Sequence, residues 1–195
     1  MRRNRWTVIR MMHKLADERM DYTGSELRSG FIRDEFGLEG DAIVAFRGAC
    51  RVSGERLVDL EDFRAGATVW GDDMMHFIVE VFDVGLSHIT ALQRLLCASA
   101  KDAVDRAAGR LAVKRRGDDL FVGGGKLSVS VATVSPVSGL IHLGINVTAE
   151  GVPVRAACLR DLGLEPERIA LEVMKRFLEE VASMEAATHK VRPVD

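Results

Sequence analysis

The sequence predicts an α+β fold, a largely antiparallel or mixed sheet packed by helices, and three observations carry that expectation. Helical periodicity runs over Ser87 to Arg110, it returns from Pro166 onward, and between them Leu111 to Val147 falls to a period of two with glycines at the turns. Helices before and after a sheet, rather than alternating with parallel strands, define that class.

The elements follow in order. Trp6 to Met12 reads as a first strand, and Ser25 to Phe36 as a short helix capped near Thr23 to Ser25. Asp41 to Arg47 is a short apolar run between Gly40 and Gly48, the pattern of a buried strand. Met74 to Asp83 is rich in aromatic and β-branched residues. As a strand it sends Met75, Phe77, Val79 and Val81 to one face and Met74, His76, Ile78, Glu80 and Phe82 to the other. In the long helix Ile89, Leu92, Leu96, Ala100, Ala103 and Ala107 recur at steps of three and four, and Gly109 marks its end. Gly117, Gly123-Gly124-Gly125 and Gly139 punctuate the meander. Pro166 suits the first position of a last helix whose stripe is Ile169, Val173, Phe177, Val181 and Met184.

The chain has 195 residues, with 27 Lys+Arg against 29 Asp+Glu and a net charge of −2. A domain of this length buries about 70% of its unfolded surface and needs no staple to hold a core. The four prolines are scattered and no linker divides the chain, which reads as one domain over 1–187 with a frayed tail over 188–195. Cys50, Cys97 and Cys158 form no C-x-x-C pair, which excludes a disulfide scaffold or thiolate zinc knuckle and fits a reducing, cytoplasmic setting. The basic start, Met1-Arg2-Arg3-Asn4-Arg5, is followed by Arg10 and His13-Lys14 rather than an apolar run, so neither a signal peptide nor a membrane span is expected. Interspersed charges of both signs argue against a protein devoted to gripping nucleic acid. Antiparallel sheets of this size commonly pair, which leaves a homodimer open as the assembly.

Chemistry concentrates in the meander. Taken as one strand, Gly125 to Val134 places Lys126, Ser128, Ser130 and Ala132 on one face and Leu127, Val129, Val131 and Thr133 on the other. In Leu140 to Val147, Ile141, Leu143, Ile145 and Val147 form the apolar set. Burying both odd sets calls for a register in which Lys126, Ser128, Ser130, His142 and Asn146 share one surface. Gly144 in its middle admits either close approach of a ligand or a local bulge. A lysine among hydroxyls, an amide and an imidazole can hold an anionic or acyl group, and the same pattern also describes the solvated face of a hairpin.

Asp118-Asp119-Leu120-Phe121-Val122-Gly123-Gly124-Gly125-Lys126-Leu127-Ser128 resembles the Asn-Asp-Leu-x-Val-x-Gly-Lys-Lys-Leu-Ser/Ala stretch of the biotin and lipoate protein ligase catalytic domain. Ile141-His142-Leu143-Gly144-Ile145-Asn146-Val147 is similar to that superfamily's Gly-Ile-Gly-Ile-Asn-Val strand. The resemblance implies a fold like that of these ligases and class II synthetases. It implies that Lys126 contacts an acyl-adenylate, that Asp118 and Asp119 lie beside the nucleotide, and that Gly125, Ser128, Gly144 and Asn146 belong to the same site. ATP and magnesium are the cofactors it implies, and a small-molecule carboxylate or acyl compound the ligand. Arg47, Arg94, His76 and Glu80 would line the acyl side. The departures are the missing Gly-Arg-Gly-Arg loop of biotin ligases, the missing Arg-Arg and glycine-rich run of lipoate ligases, Asp118 in place of Asn, and Val129 in place of a glycine. Gly40 to Gly48, Asp73 to Glu80 and Gln93 to Leu96 also resemble an uncharacterised family, domain of unknown function 366, thought to share the ligase-like fold.

Other patterns stay open. Gly123 to Lys126 fails the Walker pattern, because Leu120 stands at the first glycine and Leu127 follows the lysine, so a hairpin turn is expected. His76 and Glu80 lie four residues apart on one strand face, too far apart to share a metal, and no metal motif is legible. Glu80 in an apolar strand calls for a buried ion pair or a place in the site. Arg94 could fork a phosphate or pair with a neighbouring acid. Lys114, Arg115 and Arg116 read as a charged edge strand, or as contacts for ATP phosphates or RNA. A protein that keeps the pocket without the chemistry is the alternative to an adenylating ligase.

Overall fold

The computed structural model describes residues 11–150, 152, 154–192 and 194. The expected Trp6 to Met12 strand lies almost wholly outside them, and the first described strand, β1, is Met12–Leu15. It is followed by α1 (Phe31–Phe36), β2 (Ala42–Ser53), α2 (Leu60–Arg64), β3 (Thr68–Phe82), α3 (Leu86–Ala108), β4 (Val113–Arg116), β5 (Asp119–Val122), β6 (Gly125–Lys126), β7 (Ser128–Val134), β8 (Ser138–Asn146) and α4 (Pro166–Thr188). The main sheet has the order β1-β2-β3-β8-β7, antiparallel except for the β1–β2 pair. The second sheet, β4-β5-β6, is antiparallel throughout.

Both faces of the main sheet are covered. Met75, Phe77 and Val79 of β3, with Ile141, Leu143 and Ile145 of β8, pack under Leu92 and Leu96 of α3 and Val173 and Phe177 of α4. On the opposite face Phe46, Met74 and Ile78 pack against Tyr22, Phe31 and Ile32. The alternation expected for β3 is therefore observed, with apolar residues on both faces because helices cover one side and the α1 segment the other.

The expected Ser25 to Phe36 helix is confined to Phe31–Phe36. Glu26 caps the Thr23 N–H at 2.7 Å. Gly30 then adopts φ 76° and gives its N–H to Glu80 at 3.0 Å, which interrupts any helix begun earlier. β2 runs past Gly48 because the chain shifts register between Gly48 and Cys50 and continues to Ser53. Gly48 also lets the Met20 backbone lie alongside, since a Cβ there would sit 2.0 Å from the Met20 carbonyl oxygen. Tyr22 donates its N–H to Ala49 O at 2.8 Å, which brings its ring over the sheet.

The Leu111 to Val147 meander divides between two sheets, with the break at Leu127. Ser128 opposes Ile145, Ser130 opposes Leu143, and Val131 opposes His142. Opposed residues share a face, so the serines join the apolar set of β8, and His142 and Gly144 lie with Val129 and Val131. This overturns the register expected from burying both odd sets. The serines tolerate the helix-covered side because they find partners there. Ser128 Oγ accepts from Leu120 N at 3.1 Å, while Ser130 Oγ accepts from Gln93 at 3.0 Å and donates to His142 O at 2.9 Å.

Candidate functional site

A cleft of about 370 Å³ opens between the β5–β6 hairpin, the Val129–Val131 face of β7 and the segment from Val52 to Val69. One of its two cations is Lys126, whose Nζ lies 2.9 Å from Asp119 Oδ1. Gly123 and Gly124, at φ 56° and 82°, make the tight turn that returns the chain to this lysine, so the glycine run is a hairpin turn.

The backbone of Lys126 is clamped from both sides. Its N–H donates to Arg155 O and its carbonyl accepts from Ala157 N, each at 2.9 Å. Asn146 is buried and donates Nδ2 to Lys126 O and Ala157 O, both at 3.1 Å. Gly125 permits this approach, because a Cβ there would stand 2.7 Å from the Ala156 carbonyl. Gly125 and Asn146 thus support the lysine through the backbone, and Ser128 does so one step removed by bonding β5.

Asp118 accepts from Gln93 Nε2 at 3.0 Å and forms an ion pair with Arg94. Asp118 and Asp119 stand on one side of the cleft, with Asp59, Glu61 and Asp62 of the α2 segment also lining it. These five carboxylates face two cations, Lys126 and Arg56. Arg56 is engaged by Thr23 and Ser25 at 2.8 and 2.9 Å. Among the described residues no three metal-ligating side chains converge. A magnesium ion carried on nucleotide phosphates needs only one or two protein carboxylates, which Asp118 and Asp119 can provide.

On the cleft floor His142 lies under Tyr22, their rings stacked with centroids 3.6 Å apart and 7° between planes. His76 is fully buried behind it, with Nδ1 3.0 Å from His142 Nε2. Burial pulls the His76 pKa down to about 4 and that of His142 well below the usual imidazole value, so both rings are neutral near pH 7. Burial likewise raises the Tyr22 phenol beyond its ordinary value. Gly144 makes room for Met74, whose Cε would lie 2.9 Å from an added Cβ, so its space is taken by a side chain.

Two expected residues lie elsewhere. Arg47 grips Asp73 at 2.9 and 2.7 Å and Glu167 at 3.0 Å, and lines a different depression beside Glu165 and Pro166. Glu80, 2% exposed, accepts from Gly30 N, from Ser29 Oγ at 3.1 Å and from Ser138 Oγ at 2.8 Å. Neither a buried ion pair nor this cleft accounts for it. Lys114, Arg115 and Arg116 are exposed on β4, at the edge of the small sheet. Tyr22, Arg56 and the acids of α2 were not legible as site residues. Their only sequence signals are that Tyr22 is the chain's single tyrosine and that residues 54–67 are rich in charge.

A family model described as domain of unknown function (DUF366) matches residues 11–192. An uncharacterized protein of Methanocaldococcus jannaschii is 35% identical over 184 residues, 91% of this chain and 82% of that one. A protein of unknown function from Pyrococcus horikoshi has a solved structure at 41% identity, covering 94% of this chain and 98% of its own with a TM-score of 0.89. A putative lipoate protein ligase of T. acidophilum with bound lipoic acid superposes at TM-score 0.63, with 14% identity and coverage of 88% and 86%. A biotin protein ligase of Aquifex aeolicus in complex with biotin and ATP superposes at 0.55, with 16% identity and coverage of 87% and 69%. The likeness to these two ligases is one of fold. Among the described residues no helix is long and apolar enough to cross a membrane.

Proposed function

The chain belongs to the DUF366 family and has the fold of lipoate and biotin protein ligases, and from that premise we propose that its cleft binds a nucleotide and a small carboxylic acid and joins them as an acyl-adenylate. The observation that carries this reading is Lys126. It is a cation held by backbone clamps at a cleft that also offers the apolar wall of Val129 and Val131.

In the proposed reaction a carboxylate oxygen attacks the α-phosphorus of ATP. The new O–P bond forms as the bond to the bridging oxygen breaks, and pyrophosphate leaves with that electron pair. Lys126 exchanges Asp119 for the α-phosphate and the substrate carboxylate, and offsets the charge that gathers between them. Asp118 is held by Gln93 and Arg94, and Asp119, once parted from Lys126, would be the carboxylate to hold a magnesium ion, which would supply further charge neutralisation at the phosphates. ATP–pyrophosphate exchange with a panel of carboxylic acids tests this. Exchange driven by one acid and abolished in Lys126→Ala is expected. A Lys126→Ala protein that exchanges as wild type does would sink the mechanism.

One observation favours a second reading, a binding protein without chemistry. Five carboxylates line the cleft against two cations, and both cations are already engaged within the chain. Tight binding of an acid with no pyrophosphate exchange would select it.

A further inference from the structure

The His76–His142 contact decides which nitrogen faces the ligand. Two neutral imidazoles 3.0 Å apart share one proton-bearing nitrogen at their contact, either His76 Nδ1 or His142 Nε2. His76 is sealed from solvent, and its Nε2 closes no hydrogen bond of good geometry. That ring also faces the Gly48 and Ala49 peptide groups at the β2 irregularity, which favour a proton on it. With Nδ1 turned to His142, a lone pair on Nε2 would be repelled by the carbonyl oxygens of those peptides, whereas an N–H there directs its proton toward them. The proton of His76 therefore sits on Nε2, and its Nδ1 accepts from the His142 Nε2–H. That leaves His142 Nδ1 as a lone pair.

No hydrogen bond among the described residues reaches His142 Nδ1, and His142 lines the cleft directly opposite Val131 on β7. Tyr22 covers the ring's flat face and fixes its orientation. The floor thus presents a neutral acceptor set beside Val129 and Val131. Resting on the reading of this cleft as an acid site, we propose that His142 is its specificity-determining residue, selecting carboxylic acids whose far end carries an N–H or O–H donor. An acid with a wholly apolar far end leaves the lone pair desolvated and unpaired, and loses affinity for that reason.

Biotin and lipoic acid are suitable probes, because each carries a carboxylate on a short chain from a five-membered ring, and only biotin's ring system bears N–H donors. Calorimetric titration of both into wild type is expected to show biotin bound about tenfold more tightly, the effect of one neutral hydrogen bond. His142→Phe should erase the preference, the ratio of biotin to lipoic acid affinity falling from about ten to about one. His142→Gln, whose amide oxygen can accept, should restore part of it. Nitrogen-15 NMR of the histidine rings in the ligand-free protein should find His142 protonated on Nε2 alone. A proton on His142 Nδ1, a preference for lipoic acid, or a biotin preference that survives His142→Phe would overturn this inference and leave the adenylation reading standing. Failure of either acid to bind any of the three proteins would overturn the acid site itself, and the role of His142 with it.

Discussion

Acidification below about pH 6.5 should destabilise this protein, and the buried imidazole pair supplies the reason. An unfolded histidine titrates near 6.5, whereas burial holds His76 at about 4. The unfolded chain takes up the proton first. The stability contributed by the neutral ring is complete above about pH 6.5 and is lost as pH falls from there to about 4. Each pH unit in that window costs about 1.4 kcal/mol, so the loss is about 2 kcal/mol at pH 5 and about 3 kcal/mol near pH 4. His142 is held low by the same burial, so it adds a loss of its own, and that loss persists in His76→Gln. Burial pushes the Asp73 and Asp105 carboxyls up, but hydrogen bonds from Arg47 and Arg19 to the first, and from Lys101 and the Val113 and Ala112 N–H groups to the second, together hold both below the usual value, so their losses fall below this window. Urea unfolding of wild type and His76→Gln from pH 7 to pH 5 isolates the effect, because the readout is the slope with pH rather than stability at one pH. A wild-type slope no steeper than that of the variant would refute the reasoning.

Other substitutions test the clamp on Lys126. Asn146→Ala removes two hydrogen bonds, leaving the Ala157 carbonyl without its Asn146 donor while Lys126 O keeps the Ala157 N–H, so a loss of about 1–3 kcal/mol in urea unfolding is expected. Gly125→Ala places a methyl 2.7 Å from the Ala156 carbonyl. It should speed hydrogen exchange at the Lys126 and Ala157 amides, and unchanged protection there would contradict the role given to this glycine. Glu80→Leu strips an acceptor from Gly30 N, Ser29 and Ser138 and should cost about 2–4 kcal/mol by thermal or urea unfolding. Glu80→Gln should cost less, and because Glu80 lies outside the cleft neither variant should alter ligand affinity in the folded protein.

The two long helices and the alternation in β3 were legible because each is a strong period with a buried consequence. The register of β7 on β8 was not. Hydrophobic pattern chooses a face only when one face is wet, and here both are covered, so Val129 and Val131 could be buried on either side. What settles the question is Gln93 and the Leu120 N–H, which satisfy Ser130 and Ser128 on the helix side. Both lie on other elements, beyond the reach of a local pattern. The same holds for the shortened α1, where the N–H of Gly30 is taken by a carboxylate fifty residues away. Lys126 was legible from its motif, and the Asp118–Asp119 pair beside it is drawn in by the short hairpin. Tyr22 and the acids of α2 reach the cleft through the irregular β2 path and a segment without period, and neither leaves a local trace.

The clamp on Lys126 also bears on when the site comes into being as the chain is made. The lysine's backbone is paired locally with Phe121 in the β5–β6 hairpin, and its remaining holds come from Asn146, Arg155 and Ala157, all later in the chain. During synthesis the β5–β6 hairpin can close as soon as it emerges, yet its lysine lacks the long-range half of its clamp until residue 157 has left the ribosome and β8 has docked. A nascent chain stalled before that point would carry the hairpin without the contacts that seat it against the main sheet. The clamp is therefore complete only when the sheet is.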